Sequence, residues 1–445
     1  MPPYFYCHEG IMEKKILVLF LCAIICFSGC DKKEKSETKK ISGNITIGQL
    51  DSKDVYEKKA IQWDMTNMVS YGDEAVVELE DGYIKYRDPK TADSIYACSK
   101  NNCKHNDSQC QAYFEESCQS AFVYEGYLYV LVKTDNNRME VYKANTDGSS
   151  REIICGINLE KINGSSYVEY SYMANHQIYV DVVETYYLDK NENYKNDEEY
   201  LYNAERKKNI VYGFDCKSGN ASVLIEFPEA YDDVIARMYY DAGYLFIERY
   251  YREKSLLALS DYLDEKYDSY QAMESAFLSK YSEREYFQAL GYNDKTYVYS
   301  LKNGDISELK LNSELLQDAS ISYGNNKFVL FVGTVNSQNG KYCYDIESNQ
   351  IKEINLSVGD VRYIDGKIIY TISDSQNSFK YNEINGKSEK LSNLNRNVVT
   401  EYIGENSKYI FYLDEEENLC SINKNDFWRG VDNTILLKKA EIESE

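Results

Sequence analysis

The chain has 445 residues, 43% of them hydrophobic, which is enough to bury a large core. Its 73 Asp and Glu outnumber 50 Lys and Arg, giving a net charge of −23. That balance excludes a nucleic-acid partner, because phosphate binding needs a basic footprint.

The N-terminal region comes first in chain order. Glu13-Lys14-Lys15 precedes an uncharged apolar run from Ile16 to Phe27. The run is too short for a bilayer-crossing helix, which needs about 20 apolar residues, and it fits the core of a signal peptide. Phe27-Ser28-Gly29-Cys30 follows at once. The order of charge, apolar core, small residues and cysteine resembles the lipobox of bacterial lipoproteins. The resemblance implies a signal peptide over 1–29, cleavage before Cys30 and a lipid on its thiol. Residues 1–11 contain no basic residue, so Met12 makes the better start. "DKKEKSETKKISGN" after Cys30 is charged and lacks aromatics, so it cannot bury enough apolar area to fold. Residues 30–60 are expected to form a tether, with the folded part on the extracytoplasmic face of the cell membrane.

From residue 61 to about 440 one local pattern recurs: a polar turn, then a run of Tyr, Val, Ile and Phe. It begins at Tyr71, Tyr124, Ala174, Asp241, Tyr323, Ile364 and Glu405. Tyrosine, with 45 copies against 2 tryptophans, suits such strands because it has an apolar face and a wet end. The shortest spacing between copies is about 41 residues, the length of a four-stranded propeller blade. Further strands follow each run, often through a hairpin such as that at Asp147-Gly148. The expected fold is an all-β propeller of seven four-stranded blades stacked about an axis.

The cadence of tyrosine-rich strand, "VYKANTDG"-type turn and return strand resembles YWTD-like propellers, the class found in LDL-receptor-related proteins. More narrowly, it is similar to propeller lipoproteins of Gram-positive, Clostridia-like bacteria. The YWTD tetrapeptide itself is absent.

Two copies are stretched. The third carries "ETYYLDKNENYKNDEEYLYNAERKK". In the fourth, Leu256, Leu259, Leu263, Tyr267, Tyr270, Met273 and Phe277 recur every three or four residues, which predicts a helical insertion over 254–290. Such insertions line a binding surface or cap an edge.

The residue types that carry chemistry concentrate in one loop, 98–118, expected between the first and second blades. Cys98, Cys103, His105 and Cys110 have the spacing C-x4-C-x-H-x4-C, and Cys118 is a fifth candidate. A c-type haem needs C-x-x-C-H and is excluded. Three readings remain open: a structural disulfide such as Cys98–Cys110 or Cys103–Cys118, a structural zinc site, or free thiols. A cross-link suits a long loop with little core of its own. Cys155, Cys216, Cys343 and Cys420 are scattered over different strands and read as small buried hydrophobes. Asp189, Asn191 and Asn193 resemble the start of a calcium loop. Tyr194 stands where glycine is needed and Tyr200 where glutamate is, so calcium is a weak reading. No nucleophile elbow or P-loop appears, and no catalytic residue is assigned. His176 at a strand turn reads as a surface residue.

The expectation is a membrane-anchored lipoprotein whose propeller binds a protein or carbohydrate, with no required cofactor. The second reading is a hydrolase or lyase acting on polysaccharide or peptide in the propeller channel. The third is a scaffold subunit of a cell-envelope complex.

Overall fold

The computed structural model describes residues 44–45, 56–57, 59–114, 117–159, 164–187, 205–263, 267, 269–309, 316–324, 328–335, 338–345, 350–355, 360–372, 378–382, 386–391 and 394–440. The chain divides into two units, Met1–Thr38 and Lys39–Glu445, and the first lies outside the described residues.

The turn-and-run pattern forms hairpins. Glu125 and Gly126 have φ of 48° and 76°, and Asp365 and Gly366 have φ of 48° and 73°. Two successive positive φ values make the tight turn whose twist matches paired strands, and glycine takes the second position without strain. The apolar residues that follow are buried on both faces, as in "LYVLV" from Leu128 and "IIY" from Ile368. Both-face burial is what a sheet wedged between two others requires.

Five four-stranded antiparallel blades result, each a meander in chain order, spanning 118–158, 232–309, 316–355, 361–391 and 402–438. The 232–309 blade also carries Asn44–Ile45, paired in parallel with its outer strand at Glu308 and Leu309. The expectation of seven separate blades is corrected. The strands at 69–96 and 164–226 do not stand apart but belong to one nine-stranded sheet. The cause is the strand Ile61–Asp64, which pairs on both sides. Trp63 faces Ser70 on one neighbour and Ser171 on the other. Asp64 then turns the chain back on itself, its Oδ1 accepting from the backbone N–H of Thr66 at 3.0 Å and of Asn67 at 3.2 Å.

Apolar seams join these sheets in sequence. The nine-stranded sheet meets the 118–158 blade through Trp63, Phe122, Leu131 and Phe214, and the 232–309 blade through Tyr179, Phe227 and Ile247. Phe246 and Phe331, then Leu330 and Ile368, then Ile369 and Ile410 continue the series. The last blade returns to the first strands, with Tyr71 stacked on Phe411 at 4.3 Å and Val69 and Val76 against Leu419. Each such fully buried side chain contributes about 1.5–3 kcal/mol over an exposed one. The fold is a β-propeller.

Helices fill the stretch between Arg252 and Tyr292. A 3-10 turn, Leu256–Tyr262, precedes α1 (Tyr270–Lys280) and α2 (Glu283–Leu290). Leu259, Leu263, Tyr270, Met273, Phe277, Tyr286 and Leu290 form a small core of their own. The periodic pattern is cut at two serines. Ser269 caps α1 by accepting from Ala272 N–H at 3.2 Å, and Ser282 with Glu285 forms a reciprocal capping box on α2.

Candidate functional site

The loop after Ser94–Tyr96 brings four ligand-type atoms together. The sulfurs of Cys98, Cys103 and Cys110 and a ring nitrogen of His105 all lie within 4.8 Å of one another. Local backbone geometry produces this. Cys98 N–H donates to Tyr96 O at 2.7 Å, Cys103 N–H to Lys100 O at 3.2 Å and Cys110 N–H to Asp107 O at 3.1 Å, so each cysteine closes a tight turn. Asn102 and His105 adopt left-handed φ values of 59° and 53°. The His105 ring stacks flat on Tyr96 at 4.3 Å, and its Nδ1 lies 3.2 Å from Cys110 Sγ.

The thiols differ in environment. Burial opposes ionisation of Cys98, but the backbone at Lys100 and Gln111 and the neighbouring thiols outweigh it, and its pKa falls below the ordinary value. Burial pushes Cys110 up to about 11, against a bond from Ala112 N–H at 3.4 Å. Cys118 is not part of the cluster. It opens the strand Cys118–Tyr124, its Sγ facing Ser120 O at 3.8 Å, and burial pushes its pKa up to about 12. All eight described cysteines have free sulfurs; Cys155, Cys343 and Cys420 are buried and Cys216 is half-buried.

The loop is fastened to the hairpin turn of the 118–158 blade. Ser99 Oγ donates to Asp147 Oδ2 at 2.5 Å, and Tyr86 Oη to Thr146 O at 2.5 Å. Arg151 donates to Tyr113 O at 2.6 Å and to Gln111 O, and its guanidinium lies 3.7 Å over the Phe114 ring. Gly148, with φ of 72°, lies so close that a Cβ there would collide with the carbonyl oxygens of Gln111 and Ala97.

The strand Ile61–Asp64 joins three parts of the fold. It lies between the strands Val69–Tyr71 and Gly164–Ala174 and touches a third, Cys118–Tyr124, with Trp63 1% exposed and edge-on to Phe122. Glu57 ties three turns together just above. Its side chain accepts from Tyr124 Oη and, at 3.1 Å, from Asn175 N–H, and its carbonyl accepts from Tyr240 Oη at 2.7 Å. His176 belongs to this cluster, its Nδ1 3.5 Å from Glu125 Oε2.

Two groups of carboxylates went unassigned in the sequence because so many acids compete. Asp181 and Asn209 are fully buried on adjacent strands, and none of their side-chain polar atoms finds a protein partner. Burial, then the charges of Glu169 and Asp233, raise Asp181 far above the carboxylate range. Asp233 itself is held by Arg249 through two bonds of 2.7 and 2.8 Å. The available signal was an acid inside the unbroken apolar run "IYVDVV". The second group is Glu248, Tyr250 and Asp294. Tyr250 lies directly opposite Asp294, and its hydroxyl donates to Glu248 Oε1 at 3.2 Å. Asp294 has an exposed edge, yet loss of solvation against the sheet and the charge of Glu248 push it up to about 7.

Cys30, the tether up to Val55 and the calcium candidates Asp189, Asn191 and Asn193 lie outside the described residues, apart from Asn44 and Ile45. No helix among the described residues is long and apolar enough to cross a membrane.

No family model and no curated protein matches the sequence. Solved structures similar to it include a puromycin-hydrolysing peptidase of Mycobacterium tuberculosis, at 7% identity and a TM-score of 0.45 over 91% of this chain and 56% of that one. Another is an oligogalacturonate lyase in complex with manganese, at 9% identity and a TM-score of 0.40 over 84% and 91% of the two chains. A third is the Pyrococcus horikoshii acylaminoacyl peptidase, at 10% identity and a TM-score of 0.42 over 85% and 52%. The chain thus spans 56% and 52% of the two peptidases.

Proposed function

We propose that this protein is a lipid-anchored, extracytoplasmic binding protein. A lipid on Cys30 holds it to the membrane, and the propeller presents the helical insertion to a protein partner. The observation that carries the reading is the outward surface of that insertion. Leu257 and Leu278 are 39% and 44% exposed and lie outside the buried core of the unit, and Tyr262, 46% exposed, meets the core ring of Phe277 edge-on at 5.6 Å. The leucines favour a protein over a sugar, since an aliphatic side chain offers neither a stacking plane nor a hydrogen bond.

Two measurements test this. Metabolic labelling with a radioactive fatty acid should mark the wild type and not Cys30→Ser; equal labelling of both removes the anchor. Cross-linking on intact cells should give a partner band that Leu278→Asp with Leu257→Asp abolishes. A band unchanged by both substitutions rejects the insertion as the binding surface.

A second reading, a hydrolase or lyase acting on polysaccharide or peptide, is favoured by Asp294. An acid at about 7 beside a carboxylate and a tyrosine hydroxyl is poised for proton transfer at neutral pH. Turnover in a substrate panel that Asp294→Asn abolishes would support it, and no turnover by the wild type would remove it.

A further inference from the structure

We infer that Cys98, Cys103, His105 and Cys110 bind a single zinc ion that closes the loop on itself.

The donor set is the first argument. Three thiols and one imidazole are four protein ligands, the complete tetrahedral shell of a structural zinc site with no position left for a substrate. Zinc–sulfur and zinc–nitrogen bonds of about 2.3 and 2.0 Å place tetrahedral ligands roughly 3.5–3.8 Å apart. The mutual limit of 4.8 Å and the His105–Cys110 separation of 3.2 Å bracket that spacing. Soft thiolates with imidazole select zinc over calcium or magnesium, which take oxygen ligands.

The surroundings supply the second argument. A disulfide would use two of the three sulfurs and leave the third, with His105, gathered for no purpose. His105 instead holds a left-handed backbone, a conformation unfavourable for a residue with a Cβ, and that backbone aims its ring nitrogen at Cys110. Tyr96 fixes the plane of that ring by stacking. Ala112 N–H donates to Cys110 Sγ at 3.4 Å, the kind of outer contact that orients a metal-bound thiolate. Three thiolates on one dication leave a charge of −1, and the Arg151 guanidinium, bonded to the carbonyl of Gln111 next to Cys110, offsets it. On binding, the thiols release their protons to solvent and the imidazole binds as the neutral ring.

The consequence is mechanical. Arg151, Ser99 and Gly148 join this loop to the 145–151 turn, so the metal closes a loop that is itself docked on the neighbouring blade.

The test uses the full chain, solubilised in detergent and purified without chelator, once with and once without reductant. Metal content and denatured-state thiols are measured on the same sample. The expected result is one zinc per chain with every loop thiol titratable after denaturation in chelator. Cobalt exchange should give the visible absorption of tetrahedral thiolate coordination. His105→Ala should weaken zinc affinity at least 10-fold, and His105→Cys should restore it. Cys155→Ser should leave the metal content unchanged. Should His105→Ala fail to fold, chelator titration of the wild type followed by proteolysis within 99–109 serves instead. Zinc-free protein overturns the inference, whether its loop thiols are free or two of them are lost to a disulfide. So does zinc that survives loss of both Cys103 and His105.

Discussion

The helical insertion and the 98–110 loop are both excursions from the propeller, and they are held by different means. The insertion buries Leu259, Met273, Phe277, Tyr286 and Leu290 against one another and caps both of its α-helices with serine. The loop buries one side chain deeply, Cys110, and otherwise closes turns on its own backbone. A segment with an apolar core is ordered by desolvation, which needs no particular chemistry at any one position. A segment without one must offset its chain entropy by a cross-link, and then single atoms decide its fate. Function follows the same division. The insertion can give its outer face to a partner because its stability lies inside, whereas the loop spends its reactive groups on holding itself.

The largest effect should come from Phe277→Ala. Removing a fully buried ring costs about 3–5 kcal/mol, more than a small satellite core can lose. Hydrogen exchange should then become fast across α1 and α2, with the five blades and the zinc content unchanged. Simultaneous loss of the metal would show that the two regions are not independent. Next comes Cys110→Ser. Closing a loop of this length is worth about 3 kcal/mol, so the variant should lose zinc and become cleavable between 99 and 109. The insertion should keep its protection. A loop that stays protease-resistant would mean that the contacts of Arg151 and Ser99 suffice without a cross-link.

Legibility in the sequence divides along the same line. The repeated turns at Glu125-Gly126 and Asp365-Gly366 announce a propeller because they are local and demand particular residues. The helical insertion was readable from a period; its division into two helices, with Ser282 and Glu285 capping the second, came from the structure. The number of separate blades was not readable. It depends on whether the Ile61–Asp64 strand pairs on one side or on both, and that strand has neither the turn nor the run of the others. The four ligands were visible as residue types, but their convergence was not. It rests on left-handed backbone at Asn102 and His105 and on the stacking of Tyr96, none of which spacing reveals. Cys118 looked equivalent to its neighbours until strand pairing carried it into the next blade.

The smallest predicted effect concerns acid. Metal-binding thiolates and imidazole must be deprotonated, so acidification should free the loop while the insertion stays folded. The seam at Asp181 responds with the opposite sign. Its carboxyl is pushed far above its unfolded value by burial, so the folded state keeps its proton to higher pH than the unfolded state does. Its contribution is therefore most favourable below the unfolded pKa of about 4 and declines as pH rises from there toward the folded value. Asp181→Asn removes the ionisable group and keeps the shape beside Asn209. It should stabilise the propeller more at pH 7 than at pH 4, and the gain should shrink toward zero below about pH 4. Chemical denaturation of both proteins at pH 4 and pH 7, scored together with protease cleavage in 99–109, checks this. If the variant gains nothing at pH 7, the carboxylate has found a partner in the seam and is not stranded there. If cleavage of the loop changes with the substitution, seam and loop are coupled through the nine-stranded sheet that the Ile61–Asp64 strand holds together.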